Sequence, residues 1–96
     1  MAVLLELSIF SIHGEISKRE EVAKVLRAWE RNGIKAHLNA MGSVVEAADM
    51  QEALKAIEIA NSCMDCRRYY VIAKFDCYPE RENMLEGRVE RVLEEV

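Results

Sequence analysis

Among the 96 residues of this chain, the side chains suited to chemistry fall at alternating positions within apolar stretches. Ser8 and Phe10 share one side of an N-terminal alternation, His37 and Asn39 share one side of a later one, and Glu46 ends the run Ala40-Met41-Gly42-Ser43-Val44-Val45-Glu46. A carboxylate accepts amino hydrogens or balances a cation, a hydroxyl and an amide orient a polar ring, and an aromatic side chain forms a wall. Such a set suits recognition of a small molecule. Glu46 also has a simpler reading, as a strand-end carboxylate paired across a sheet with Lys35 or Lys74.

Other reactive residues point nowhere as specific. Cys63-Met64-Asp65-Cys66 has C-x-x-C spacing, but it follows a helical pattern, and the negative end of a helix disfavours the thiolate that redox chemistry needs. A structural zinc site needs four ligands, and Cys77 belongs at the far end of a strand, about 30 Å away at 3.3 Å per residue. His13 lies nearer and leaves at most a partial or intersubunit site. His37 has no nucleophile or paired acid that would make it a general base. Arg67-Arg68 beside Tyr69-Tyr70 could stack RNA, yet the formal net charge of −4 argues against a surface built for phosphate backbones and fits a small cation better. The expectation is a chain with no catalytic or metal site, no cofactor, and no nucleic-acid or membrane partner. Met1 to Glu6 lacks the basic flank and long apolar run of a signal peptide, which makes the expected location cytoplasmic. The odd cysteine count speaks against a disulfide framework.

The elements that must position these residues follow from periodicity. Val3, Leu5, Leu7 and Ile9 alternate with Leu4, Glu6, Ser8 and Phe10, predicting a strand from Ala2 to Ile12. Ser17 and Glu20 form an S-x-x-E capping box ahead of Val22, Val25, Leu26 and Trp29, a helix stopped by Asn32-Gly33. Ile34 to Ala40 alternates again, bends at Met41-Gly42 and returns as a third strand from Ser43 to Ala47. Asp49 and Glu52 cap a second helix containing Met50, Ala53, Leu54 and Ile57. Tyr69, Val71, Ala73 and Phe75 mark the inner face of a fourth strand. Asn83 and Glu86 suggest a third box before Leu85, Val89, Val92, Leu93 and Val96, with Gly87 inside that helix.

Two strand-helix-strand halves predict an α+β ferredoxin-like βαββαβ sandwich: one domain over residues 1–96, with a four-stranded antiparallel sheet and an extra C-terminal helix. The second and fourth strands become edges, and both main helices cover the same face. The other face holds Leu4, Glu6, Ser8, Phe10, Lys35, His37, Asn39, Val44, Glu46, Tyr70, Ile72, Lys74 and Asp76. That mixture is too apolar to be simply wet, and a second subunit would bury its apolar part. The last helix is expected to dock its apolar stripe on its own or a neighbouring subunit.

Met41-Gly42-Ser43-Val44-Val45-Glu46, followed by Asp49 and Glu52, resembles the Met-Gly-Thr-x-x-Glu signature of the thiamine-binding, YkoF-like family. The likeness extends to Glu6-Leu7-Ser8, Lys74-Phe75-Asp76 and the closing Val89, Glu90 and Val92. It places Met41, Gly42, Ser43 and Glu46 at signature positions, with serine in place of the more usual threonine. Family members carry a Pro and Gly where this chain has Ser11-Ile12-His13-Gly14, and a basic residue where it has Cys77-Tyr78. The resemblance implies a noncatalytic homo-oligomer, a dimer or tetramer, that binds thiamine or its hydroxymethylpyrimidine half in an intersubunit pocket. Glu46 would then meet the amino group or the thiazolium, while Ser8, His37 and Asn39 orient the ring beside Phe10. The alternative is a structural or regulatory ferredoxin-like oligomer that binds another metabolite or none.

Overall fold

The computed structural model describes residues 2–12 and 18–96. The elements in chain order are β1 (Ala2–Ser11), α1 (Lys18–Arg31), β2 (Ala36–Asn39), β3 (Gly42–Ala47), α2 (Met50–Ser62), β4 (Tyr69–Tyr78) and α3 (Arg88–Leu93). The strands form one antiparallel sheet in the order β2-β3-β1-β4, so β1 and β3 are central and β2 and β4 are edges. This is the expected ferredoxin-like arrangement with an added C-terminal helix.

Because side chains alternate along a strand, β1 supplies both faces of the sheet. Its Val3, Leu5, Leu7 and Ile9 join Val45 and Ala47 of β3 under α1 and α2. The facing surface of α2 is a stripe of alanines, Ala53, Ala56 and Ala60, all fully buried. These small residues leave room for Trp29 of α1, whose indole Nε1 donates to the Ala56 carbonyl at 2.8 Å. A buried indole needs such an acceptor, and here the helix backbone provides it.

The ends of the helices follow local rules. Asp49 accepts the Glu52 amide at 2.9 Å, while Glu52 Oε2 accepts the amide of Ala48 at 2.8 Å, so the expected acidic cap of α2 forms. At the end of α1 the Ile34 amide reaches back to the Trp29 carbonyl at 2.9 Å around Gly33, a Schellman stop. Ser17, proposed above as the α1 cap, and His13 lie outside the described residues. The start of α1 shows a different tie: Lys18 Nζ donates to the Ser11 carbonyl at 2.5 Å and its hydroxyl at 2.7 Å, and Glu21 accepts the Ser11 amide at 3.1 Å. These partners satisfy a serine that is only 1% exposed.

The structure corrects the C-terminal expectations. No capping box forms at Asn83 and Glu86, because Asn83 has φ 54° and an N-cap requires extended backbone. The helix begins only at Arg88, after Gly87 at φ 78°, so Gly87 is not interior but stands at the N-cap in a conformation an L side chain would strain. Val89, Val92, Leu93 and Val96 do not dock on their own sheet and remain exposed. The sheet face opposite α1 and α2 is nonetheless partly covered, since the chain between β4 and α3 crosses it and buries Met84 completely against Ala2 and Leu4. On β4 the expected inner face is only half realised: Tyr69 and Phe75 pack on the core, but Val71 and Ala73 stay exposed on this edge strand.

Trp29→Ala should lower unfolding free energy by about 3–5 kcal/mol in urea titrations, the range for truncating a fully buried aromatic.

Candidate functional site

Antiparallel register sorts the face opposite α1 and α2 into rows across the strands. His37 lies opposite Val44, Val44 opposite Glu6, and Glu6 opposite Lys74. The neighbouring row runs from Glu46 through Leu4 to Asp76, with Lys35 one position before β2 beside it. Above these rows stands the segment from Leu85 to Glu90, and the space between is a cleft of about 870 Å³. That is within the size range of small-molecule sites.

The cleft is mixed but acidic. Five carboxylates (Glu6, Glu46, Asp76, Glu86 and Glu90) face three cations, Lys35, Lys74 and Arg88. Two of those cations are already engaged: Lys74 lies 3.5 Å from Glu6 and Arg88 2.8 Å from Asp76. The Asp76–Arg88 pair is about half exposed and Lys74 of the other is mostly exposed, so each is worth at most about 1 kcal/mol, and together they leave the acidic excess in place. Leu4 and Val44 give the floor an apolar centre, and the polar heads of His37 and Asn39 stand along the β2 edge.

Glu46 does not pair with Lys35 or Lys74. Its Oε2 accepts the backbone amide of Met84 at 2.5 Å, tying the crossing segment to β3. Neither this bond nor the burial of Met84 is legible in the sequence; the only local signal is a lone Met-Leu pair in the polar stretch from Pro79 to Glu90.

The other site residues named from the sequence divide between places. His37, Asn39 and Glu46 come together in the cleft. Ser8 shares the same sheet face but turns its hydroxyl to the Met41 carbonyl, donating at 2.9 Å and fastening the β2–β3 bend to β1. Gly42 sits where this crossing is tightest: a Cβ there would stand 3.0 Å from Ser8 Oγ and 3.1 Å from the Leu7 carbonyl oxygen. Met41 projects into solvent at 88% exposure, and Ser43, the next position on β3, faces the helix side at 8%. Phe10 lies at the end of the face away from the cleft, edge-on to Tyr70 with ring centroids 5.8 Å apart. Arg68 is 6.0 Å from the centre of that tyrosine ring. Cys63 caps the C-terminal end of α2, and Cys77 is on β4 opposite Val3. Among the described residues no group of three or more His, Cys, Asp or Glu side chains is arranged to hold a metal ion.

A four-stranded antiparallel sheet with two helices on one side and a cleft on the other defines a ferredoxin-like α+β protein. The chain belongs to the thiamine-binding protein family, whose model matches residues 5–93. A UPF0045 protein of Methanocaldococcus jannaschii is 31% identical over 94 residues, spanning 96% of this chain and 93% of the relative. The crystal structure of a hypothetical protein from that organism superposes with a TM-score of 0.80 at 29% identity over 97% of both chains. A Thermotoga maritima structure described as a candidate thiamine biosynthesis/salvage protein has the same fold, with a TM-score of 0.77 at 13% identity over 95% of this chain and 99% of the other. No helix of the described residues is long and apolar enough to cross a membrane.

Gly42→Ala should destabilise the protein by about 1–3 kcal/mol, the usual cost of overpacking, because the Leu7 carbonyl belongs to the sheet backbone and cannot yield as a side chain would. Thermal unfolding of Gly42→Ala beside Ser8→Ala checks this, with Ser8→Ala losing only one hydrogen bond, about 1 kcal/mol.

Proposed function

We propose that this protein binds thiamine, or its hydroxymethylpyrimidine half, in the cleft between the sheet and the Leu85–Glu90 segment, without catalysing a reaction on it. The observation that carries this reading is the acidic excess around an apolar floor with polar groups at its edge. An aminopyrimidine offers ring-nitrogen acceptors beside an amino donor, which the Asn39 amide and the His37 imidazole complement. A thiazolium adds a permanent positive charge, favoured by the excess of carboxylates over cations among the residues that line the cleft. Family membership supports a binding role, and the Thermotoga maritima structure is consistent with thiamine metabolism.

Assembly completes the proposal. Tyr70 and Ile72 expose apolar surface beside Phe10, Met41 projects from the β2–β3 bend, and α3 presents Val89, Val92, Leu93 and Val96 to solvent. Surfaces of this kind mark contacts, and a second copy of the chain would cover them as a homo-oligomer, bringing its own residues near the open end of the site.

Thiamine and the hydroxymethylpyrimidine should each give a saturable rise in melting temperature, while the thiazole alcohol alone should give a smaller one. Stabilisation of about 2.7 kcal/mol is expected at 100 times the dissociation constant. Asn39→Ala should weaken thiamine binding about tenfold by calorimetry. No shift at millimolar ligand would favour the alternative of an oligomer that binds another metabolite or none. For assembly, sedimentation should show a dimer or tetramer that Ile72→Lys shifts toward monomer; a wild-type monomer at micromolar concentration would refute it.

A further inference from the structure

The glutamate that ends the signature stretch contacts the chain's own backbone in this structure. Its Oε2 accepts the Met84 amide at 2.5 Å, and the Met84 side chain is fully buried against Ala2 and Leu4. Asn83 at φ 54° and Gly87 at φ 78° bracket that point, turning the chain down to the sheet and away again. One further tie, the 2.8 Å pair between Arg88 and Asp76, fixes the far end of this strap. Beyond it α3 adds little hold, since its apolar residues face solvent. Closure of the strap over the cleft therefore rests mainly on Glu46, on Met84 with Leu85 packed beside it, and on the Asp76–Arg88 pair.

The geometry points to Glu46 as a positioning residue: it acts on a bound ligand by holding the strap as the roof of the cleft, rather than as the ligand's principal contact. The inference rests on the cleft being the binding site, as proposed above. A ligand there meets the floor at Leu4 and Val44 and the roof at Leu85 to Glu90. Binding and strap closure are then linked, each favouring the other by the same factor. A variant whose strap is mostly open binds more weakly in proportion to the closed fraction that remains. The other signature residues have comparable roles in this chain, since the Met41 carbonyl and Gly42 make the bend against Ser8 and Ser43 is buried beneath the sheet.

The test combines thiamine calorimetry with amide hydrogen exchange of the 79–88 segment, in about 0.3 M salt to screen long-range charge effects. In wild type, thiamine should slow exchange of the strap. Glu46→Ala should speed it at least tenfold without ligand and weaken binding at least tenfold. Glu46→Gln, which keeps an acceptor for the Met84 amide, should rescue both to within about threefold. Met84→Ala, which leaves Glu46 in place, should also weaken binding, and it serves as the second variant if Glu46→Ala does not fold. The inference is overturned if Glu46→Gln binds as poorly as Glu46→Ala while its strap stays protected, because the carboxylate would then be a direct contact. It is equally overturned if Met84→Ala opens the strap with affinity unchanged. If wild type itself does not bind thiamine, the proposed function falls and the coupling falls with it; the first two outcomes leave that function standing.

Discussion

The rest of the structure depends on β1 being the middle of the sheet. It pairs along its whole length with β4 and along half of it with β3, so its side-chain alternation is imposed on both surfaces. Val3, Leu5, Leu7 and Ile9 set the layer under the helices, and Leu4, Glu6, Ser8 and Phe10 set the layer opposite. A one-residue slip in either pairing would exchange these sets and expose the core, so the register is strongly determined. The crossing of Gly42 over Ser8 and Leu7 adds a steric stop at one end of the β1–β3 ladder.

From that register the character of the second face follows. Charged rows lie at one end, where the strap returns, and an aromatic pair, Phe10 and Tyr70, lies at the other. The strap returns to the charged end because Met84 finds its apolar contacts at Ala2 and Leu4 and its amide acceptor at Glu46. The same event creates the cleft, since a bare sheet has a floor but no roof. Among the described residues, none gives the aromatic end a comparable cover.

The signature stretch shows how a contiguous motif can be divided by a strand. Gly42, Val44 and Glu46 fall on one face and Ser43 on the other, because successive residues of β3 alternate. The residues of this stretch thus have separate structural tasks: making a bend, filling the helix side, and receiving the strap. The polar edge of the cleft is supplied instead by β2, an edge strand whose His37 and Asn39 have no strand neighbour on their outer side among the described residues.

Local patterns were sufficient for much of this. Alternation placed four strands, helical spacing around Trp29 and Ala53 placed two helices, and the acidic pair Asp49 and Glu52 marked a cap that the structure contains. These features depend on near neighbours in the chain, and that information is written in residue order. The pairing of Glu46 with the Met84 amide, 38 residues away, is not. The Asn83–Glu86 spacing promised a cap, but burial of Met84 pulled the backbone into left-handed turns and delayed the helix to Arg88. Residue order alone determined the sheet, its two faces and the polar groups on each. Tertiary structure decided which of those groups share a cleft, because only the folded chain brings a polar segment back across the sheet and lets one buried methionine choose where it lands.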